Sequence, residues 1–216
     1  MKKRIVISIF VLILLITSST ALAYQPYNGA YAAQYALNHY NNPNPNFNEW
    51  SADCTNFASQ AVWAGGFQMV YPNSPLRIGV MDTSNHWFSR KIREERGVWP
   101  LRWTVEGWAE SSTWIRVERN RGFYPYWKGI LGPNVIETSN WRTLLSHAKP
   151  GDIIQLRRSG EQHRSHSIVV TQVTNDNIYI AQRSANRKGD VKDISERYSH
   201  FTLFKFNSIP VNFPLE

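Results

Sequence analysis

The chain has 216 residues, with 24 lysines and arginines against 16 acidic residues, and its single cysteine excludes an intramolecular disulfide. The basic residues give a formal charge of +8 but form no dense stripe, and no nucleic-acid-binding motif accompanies them, so a nucleic-acid partner is not expected. A basic surface of this kind is attracted to anionic cell-wall polymers or lipid head groups.

The N-terminus has the three parts of a secretory signal peptide. Basic residues at positions 2–4 precede an apolar run at 5–16, and Ala21-Leu22-Ala23 supplies a small-x-small cleavage signal. The run is shorter than the roughly 18–20 residues that span a bilayer, which favours cleavage over an uncleaved membrane anchor. The sequence therefore predicts a secreted, extracellular protein without a stable membrane span, with residues 1–23 as signal peptide and 24–216 as one domain.

Two helices are predicted near the start of this domain. The first covers residues 28–40 and ends before two prolines. The second starts at Cys54, with Asp53 as N-cap, and stops at Gly65-Gly66; its apolar stripe belongs to the core. The apolar face of the first helix is assigned to Tyr31, Tyr35, Leu37 and Tyr40.

The remainder of the sequence contains a Trp-rich segment, which is followed by predicted strands. Residues 68–134 are interpreted as an insertion that forms a lid or a substrate wall. Its tryptophans are Trp87, Trp99, Trp103, Trp108, Trp114 and Trp127. A short helix over 141–147 precedes strand-like segments at 152–157, 167–174, 177–182 and 201–206. Helices first and antiparallel strands last indicate an α+β domain, with N-terminal helices packed on a C-terminal antiparallel sheet.

Cys54 is the residue most suited to nucleophilic chemistry. At the first turn of its helix, unpaired backbone N–H groups and the helix dipole favour the thiolate. The neighbouring Asp53 carboxylate opposes a second negative charge, an effect that is smaller if Asp53 turns back to cap the helix. A lone cysteine in an exported chain suggests a free reactive thiol, but a small buried cysteine in the core is the alternative.

His166 is the best candidate for a base. It opens the β-branched run HSIVVTQV after a polar loop, so its side chain can face a cleft while the strand anchors it. His163 lies in the loop itself and is assigned to the surface. A metal site formed by His163 and His166 is not expected, because no HExxH or Cys/His cluster accompanies them, and no cofactor is predicted.

Several segments together resemble a known family. YNGAYAAQYALNHYNNPNPNF and SADCTNFASQAVWAGGFQM, followed in the same order by GDIIQL, HSIVVT and IYIAQRS, resemble the putative amidase domain of secreted bacterial proteins, although the Trp-rich segment is longer than the family's usual connection. That resemblance implies a papain-like cysteine hydrolase fold, related in plan to CHAP amidases and cell-wall cysteine peptidases. It also implies that Cys54 is the nucleophile and His166 the base.

The chain departs from this family at the third member of the site. Family members usually have His-Thr or His-Ser after the last core strand, where this chain has Arg183-Ser184. Arginine has no acceptor for an imidazole N–H. Gln182 or Asn186 can supply one, and Gln182, at the strand end, is favoured as the third catalytic residue. The backbone N–H of Cys54 is the natural oxyanion donor.

These features predict a cysteine-dependent hydrolase of C–N bonds in peptidoglycan, either in a peptide crosslink or between sugar and peptide. The substrate follows from analogy with related folds, and another amide-containing extracellular substrate is compatible with the residues. The alternative is a catalytically impaired protein on the same fold that binds cell wall or carbohydrate through its tryptophans.

Overall fold

The structure is a computed structural model that describes residues 26–118 and 120–209, so the predicted signal peptide at 1–23 lies outside it. The helices are α1 (Gly29–His39), α2 (Cys54–Ala64), α3 (Ser112–Ile115), α4 (Phe123–Leu131) and α5 (Val191–Ile194). The strands are β1 (Gly79–Met81), β2 (Ser89–Val98), β3 (Leu101–Ser111), β4 (Val135–Thr138), β5 (Ile153–Arg158), β6 (His166–Val173), β7 (Ile178–Gln182), β8 (Arg187–Asp190) and β9 (Tyr198–Phe204). Short 3₁₀ helices lie at Gly132–Asn134, Trp141–Ser146, Ser195–Arg197 and Phe206–Ser208. Among these described helices, none has the length and apolar character needed to span a membrane.

Two sheets organise these elements. The larger is antiparallel, with strand order β4-β9-β5-β6-β7-β8, and the smaller has the order β1-β3-β2. The predicted α+β class is confirmed. The segments predicted as strands at 152–157, 167–174, 177–182 and 201–206 correspond to β5, β6, β7 and β9 within a few residues. The two N-terminal helices thus precede the six-stranded sheet as predicted, whereas the sequence does not predict the three-stranded sheet that lies between them in the chain.

The central strand β6 separates two hydrophobic clusters, because successive side chains of a strand point to opposite faces. Val169 packs in the cluster that contains Ala36 of α1 and Phe57 of α2. Ile168 and Val170 belong to the cluster on the other face of the sheet. Both N-terminal helices thus lie on one face of β6, which brings the start of α2 near the start of this strand.

The predicted apolar face of α1 is wrong in part. Tyr31 is 61% exposed, and Leu37 and Tyr40 are only partly buried. The buried face consists mainly of small residues: Gly29, Ala32, Ala33, Tyr35 and Ala36. Small side chains are needed because α1 approaches its neighbours closely; a Cβ at Gly29 would collide with the backbone oxygen of Pro150 and the side chain of Asn207.

The boundaries of α2 and the N-cap position of Asp53 agree with the sequence, but the side-chain hydrogen bond expected of a cap is absent. The helix begins at Cys54 and is followed by Gly65 at its C-cap, and Asp53 occupies the N-cap position. The Asp53 side chain makes no capping hydrogen bond to the helix backbone. Its Oδ1 instead accepts from the Trp50 backbone N–H at 3.0 Å and the Asn56 side chain at 2.7 Å. The carboxylate is thus used to order the preceding loop.

The Trp-rich segment contributes to the core as well as to the surface. Trp87, Trp114 and Trp127 are fully buried in the same cluster as α1 and α2. Trp99 and Trp103 are exposed on the hairpin formed by β2 and β3. The three buried tryptophans of residues 68–134 therefore belong to the main core. The assignment of this segment as a lid or substrate wall stays a prediction.

Candidate active site

Cys54 is held between α2 and β6. It is 6% exposed and is the first residue of its helix. Its sulfur lies 3.8 Å from Thr55 Oγ1. Thr55 Oγ1 lies 3.0 Å from Ser167 Oγ. These contacts fix the start of α2 against the start of β6, the two places from which the sequence predicts nucleophile and base.

The environment of this thiol differs from the expected one. Burial raises the pKa of Cys54, although the hydrogen bonds from Ser167 and Thr55 lower it. The neighbouring carboxylate of Asp53 also raises it. Burial therefore opposes the activation that the helix N-terminus is predicted to give, because removal of solvent disfavours the charged thiolate. A base is needed to take the proton.

His166 is oriented by Gln182. Its Nε2 lies 2.5 Å from the side-chain oxygen Oε1 of Gln182, which is the last residue of β7. An amide oxygen only accepts, so Nε2 carries the proton and Nδ1 keeps a free lone pair. Burial lowers the pKa of His166, and the charges of Arg158 and Arg187 lower it further, whereas Gln182 raises it. The favoured form is a neutral imidazole, as a general base requires.

The two predicted catalytic side chains border different cavities. Cys54 lines one of about 510 Å³, and His166 and Gln182 line another of about 430 Å³. Ser165, the residue before β6, lines both. In residues 26–118 and 120–209 no hydrogen bond joins the Cys54 thiol to the imidazole of His166. The backbone brings the two residues together, while their side chains are not in direct contact.

The Cys54 cavity contains functional groups that the sequence did not indicate. Its polar walls come from Arg116, Glu118, His163 and Arg164. His163 is exposed, as predicted, yet its Nδ1 lies 3.9 Å from Glu118 Oε1. No local sequence signal marks Glu118, because only the tertiary fold places residues 115–118 opposite the loop at 163–165. His163 is therefore the histidine that shares a cavity with Cys54.

Arg164 fixes one wall of this cavity. Its side chain is 8% exposed and bonds Glu118 at 3.2 Å and Glu137 at 2.6 Å. Its guanidinium also lies 3.7 Å from the centre of the Tyr124 ring. Two carboxylates and an aromatic face satisfy the charge of a nearly buried arginine. The position of the loop before β6, and with it that of His166, is thereby determined.

Arg183 braces the start of α2 and does not orient His166. Its side chain is 2% exposed, with Nη1 3.0 Å from Asp53 Oδ2 and Nη2 2.9 Å from Glu49 Oε1. The next residue, Ser184, accepts the Asp53 backbone N–H on its hydroxyl at 2.7 Å. The residue that departs from the family pattern thus balances the Asp53 carboxylate immediately before Cys54.

Other motif residues have structural hydrogen bonds. Tyr27 donates to the backbone oxygen of Gly151 at 2.7 Å. Gln60 accepts from Tyr35, and Asn56 donates to the backbone oxygen of Asn48. These bonds tie loops to helices. The described residues contain no cluster of three or more His, Cys, Asp or Glu side chains arranged to hold a metal ion.

Comparison with known proteins gives one match. The model of the family described as "Putative amidase domain" matches residues 26–204, from before α1 to the end of β9. No curated protein and no solved structure matches the chain. The matched range contains Cys54, His166 and Gln182 together with both cavities that they line.

Proposed function

This chain belongs to the putative amidase domain family, and we propose that it is a secreted cysteine hydrolase that cleaves an amide bond of the cell wall. The family description supports the reaction class, hydrolysis of a C–N bond. The observation that carries the choice of residues is the bond between His166 and Gln182, because it leaves Nδ1 of His166 free as an acceptor at the start of β6, against which the start of α2 packs.

In the proposed first half-reaction, His166 Nδ1 accepts the thiol proton as the Cys54 sulfur attacks the amide carbonyl carbon. The carbon–sulfur bond forms, and the carbonyl π electrons move to oxygen. The backbone N–H of Cys54 stabilises this oxyanion; it has no acceptor within the described residues. Collapse breaks the C–N bond, and His166 returns its proton to the leaving amine.

In the second half-reaction, His166 accepts a proton from water, and the resulting hydroxide attacks the thioester carbon. The carbon–sulfur bond breaks, and His166 returns the proton to the Cys54 sulfur. The carboxylic acid product leaves and loses its own proton to solvent. Because burial raises the pKa of the thiol and lowers that of His166, the resting pair is neutral. Proton transfer therefore accompanies attack and does not precede substrate binding.

Contact between Cys54 and His166 requires a local movement when substrate binds. Ser165 borders both cavities, so the cavity of the thiol and that of the imidazole adjoin at this residue. Catalytic hydrogen bonds are often long in a free enzyme and shorten in the complex. The cell-wall substrate rests on the predicted export and on the basic charge of the chain, which suits an anionic polymer.

The second candidate is a binding protein on the same fold that lacks hydrolytic activity. The observation that favours it is the absence, among the described residues, of a hydrogen bond between the buried Cys54 thiol and His166. Measurement of product release from peptidoglycan distinguishes the two candidates, because a binding protein releases no product at any protein concentration.

The base assignment is tested with matched histidine variants. We expect His166→Ala to lower the rate of amine release from peptidoglycan by about 10²- to 10⁴-fold, the usual contribution of a general base. His163→Ala removes the other histidine near Cys54 and should leave the rate close to that of the wild type. The opposite ranking of the two variants would overturn the assignment of His166.

A further inference from the structure

The hairpin of β2 and β3 forms an arm whose outer half is largely exposed. Its residues pair continuously from Ser89 with Glu110 to Val98 with Leu101. At about 3.3 Å per residue, the arm is about 30 Å long. Its base is buried, but most side chains in its outer half are exposed on both faces. The tip therefore contacts solvent instead of the domain that carries it.

The tip of this arm is apolar. Val98, Trp99, Leu101 and Trp103 are 76%, 81%, 74% and 56% exposed, respectively. These side chains lie within six consecutive residues that also include Pro100. Single exposed apolar residues are common on protein surfaces, but a contiguous group of large ones marks a binding surface. We call these four side chains the hairpin tip.

The turn holds this surface in a defined shape. Gly97 has φ of +86°, a conformation that favours glycine, and a Cβ there would collide with Leu101 and with the Trp103 ring. Trp103 thus covers the backbone of Gly97 on the opposite strand. The hairpin tip is a convex, preformed projection, which suits insertion into a soft surface better than enclosure of a small ligand.

Charges follow the hairpin tip in a fixed order along the arm. Arg102 belongs to the residue pair that follows Val98–Leu101. Arg96, opposite Trp103, belongs to the pair after that. Both arginines are substantially exposed, and Glu94 and Glu95 lie farther from the end. The Arg102–Glu95 pair is at the surface, where such pairs contribute little and exchange readily. Arg96 is 47% exposed and bonds the Glu94 side chain, which is 11% exposed, at 3.1 Å. Val98, Trp99 and Leu101 thus lie outermost, and the two arginines follow next to Trp103.

The β2 edge of the arm is poorly suited to pairing with a second copy. β2 is an edge strand, but it carries alternating and adjacent charges from Arg90 to Arg96, which oppose edge-to-edge association. The apolar end reaches from the Val98–Leu101 pair to Trp103, two residue steps farther along the arm, or about 7 Å. That length matches the about 5–10 Å to which interfacial segments enter a bilayer, where tryptophan is favoured.

We propose that the hairpin tip inserts into the surface of an anionic lipid bilayer and tethers the enzyme there. Trp99 and Leu101 enter the acyl boundary, and Arg96 and Arg102 contact lipid phosphates. Binding is reversible, because only a few apolar side chains are buried. This role is separate from catalysis, since the hairpin tip lines neither the Cys54 cavity nor the His166 cavity.

A local fluorescent probe tests the proposal in the full chain. Val98→Cys in a Cys54→Ala background is labelled with an environment-sensitive dye and mixed with vesicles of phosphatidylglycerol and phosphatidylcholine. The control carries Tyr31→Cys, an exposed site on α1. We expect a blue-shifted, stronger emission at position 98 and none at position 31. Because the readout is local, binding through another part of the chain does not produce it.

Second variants keep the test independent of the label. In the otherwise native chain, Trp99→Ser with Leu101→Ser should raise the lipid concentration for half-maximal co-sedimentation about tenfold relative to wild type. Arg96→Gln with Arg102→Gln should abolish the preference for anionic over neutral vesicles. The proposal fails if position 98 does not respond to vesicles, if position 31 responds equally, or if both wild type and serine variant sediment alike. A response of position 98 to purified peptidoglycan alone would assign the hairpin tip to the wall instead.

Discussion

The Nε2 atom of His166 lies 2.5 Å from Oε1 of Gln182, across neighbouring strands of the six-stranded sheet. Both residues lie at the end of the sheet from which β6 starts and at which β7 finishes. The bond selects one imidazole tautomer and leaves Nδ1 to accept a proton. Gln182 thus has the geometry of a positioning residue. The neighbouring Arg183 cannot fill this role, because arginine has no acceptor for an imidazole N–H.

Removal of this bond should impair proton transfer without removing the base. We expect Gln182→Ala to lower kcat/KM by about 10- to 100-fold, because the ring loses its orientation. Gln182→Glu keeps an acceptor but adds a negative charge that stabilises the imidazolium. The pKa of His166 should then rise, and the acidic limb of the pH–rate profile should move to higher pH. An unchanged profile in Gln182→Glu would contradict a direct bond between the two side chains.

The thiol should behave as a buried neutral group. Because burial raises the pKa of Cys54, the rate of alkylation by iodoacetamide should increase continuously with pH. A preformed thiolate–imidazolium pair would instead give a plateau between about pH 6 and 8. The measurement is the modification rate by intact mass, with Cys54→Ala as the control for other nucleophiles. A plateau near neutral pH would show that the free enzyme already holds the ion pair.

Arg183 should be essential for stability. Arg183→Leu leaves the Asp53 carboxylate, 3% exposed in its side chain, without its partner. We expect the free energy of unfolding to fall by about 3–5 kcal/mol, the usual effect of leaving a buried charge unpaired. Adding Asp53→Asn should recover part of this loss, because it removes the uncompensated charge. Denaturant unfolding checks both variants, and a double variant less stable than Arg183→Leu would argue against the pairing.

Asp152 should give the fold a specific pH dependence. Burial raises the pKa of its carboxyl from 3.8 to about 6, although bonds from Asn207 and Lys149 oppose the change. Between these values the native state binds more protons than the unfolded state, so the free energy of unfolding contributed by Asp152 falls as pH rises from about 4 to 6. Asp152→Asn should remove this contribution. The difference between the two stability–pH curves isolates it, and parallel curves would contradict a raised pKa.

The parts of the fold that the sequence predicted are those governed by local signals. The start of α2 follows from its flanking residues, and β5, β6 and β7 follow from β-branched runs bounded by turns. Gln182 could be proposed because the end of one strand and the start of its neighbour lie together in an antiparallel pair. These predictions need only the hydrophobic periodicity of each helix or strand and the order of these elements along the chain.

Other features depend on tertiary contacts without a local signal. The partner of Asp53 is Arg183, 130 positions along the chain, and nothing near either residue indicates the pairing. The exposure of Tyr31 depends on how closely α1 approaches its neighbours, which its own apolar pattern does not specify. The arm of β2 and β3 was not predicted, since solvent on both faces removes the alternation that usually marks a strand.

In the proposed function, Cys54 is the nucleophile that hydrolyses an amide bond of the cell wall. Mass spectrometry of purified peptidoglycan fragments, after incubation with wild type or Cys54→Ala, tests it most directly. Equal thermal unfolding midpoints would show that the variant keeps its fold. We predict new amine and carboxylate termini with the wild type and none with Cys54→Ala. Cleavage at the wild-type rate by Cys54→Ala, or intact fragments with both proteins, would contradict the claim.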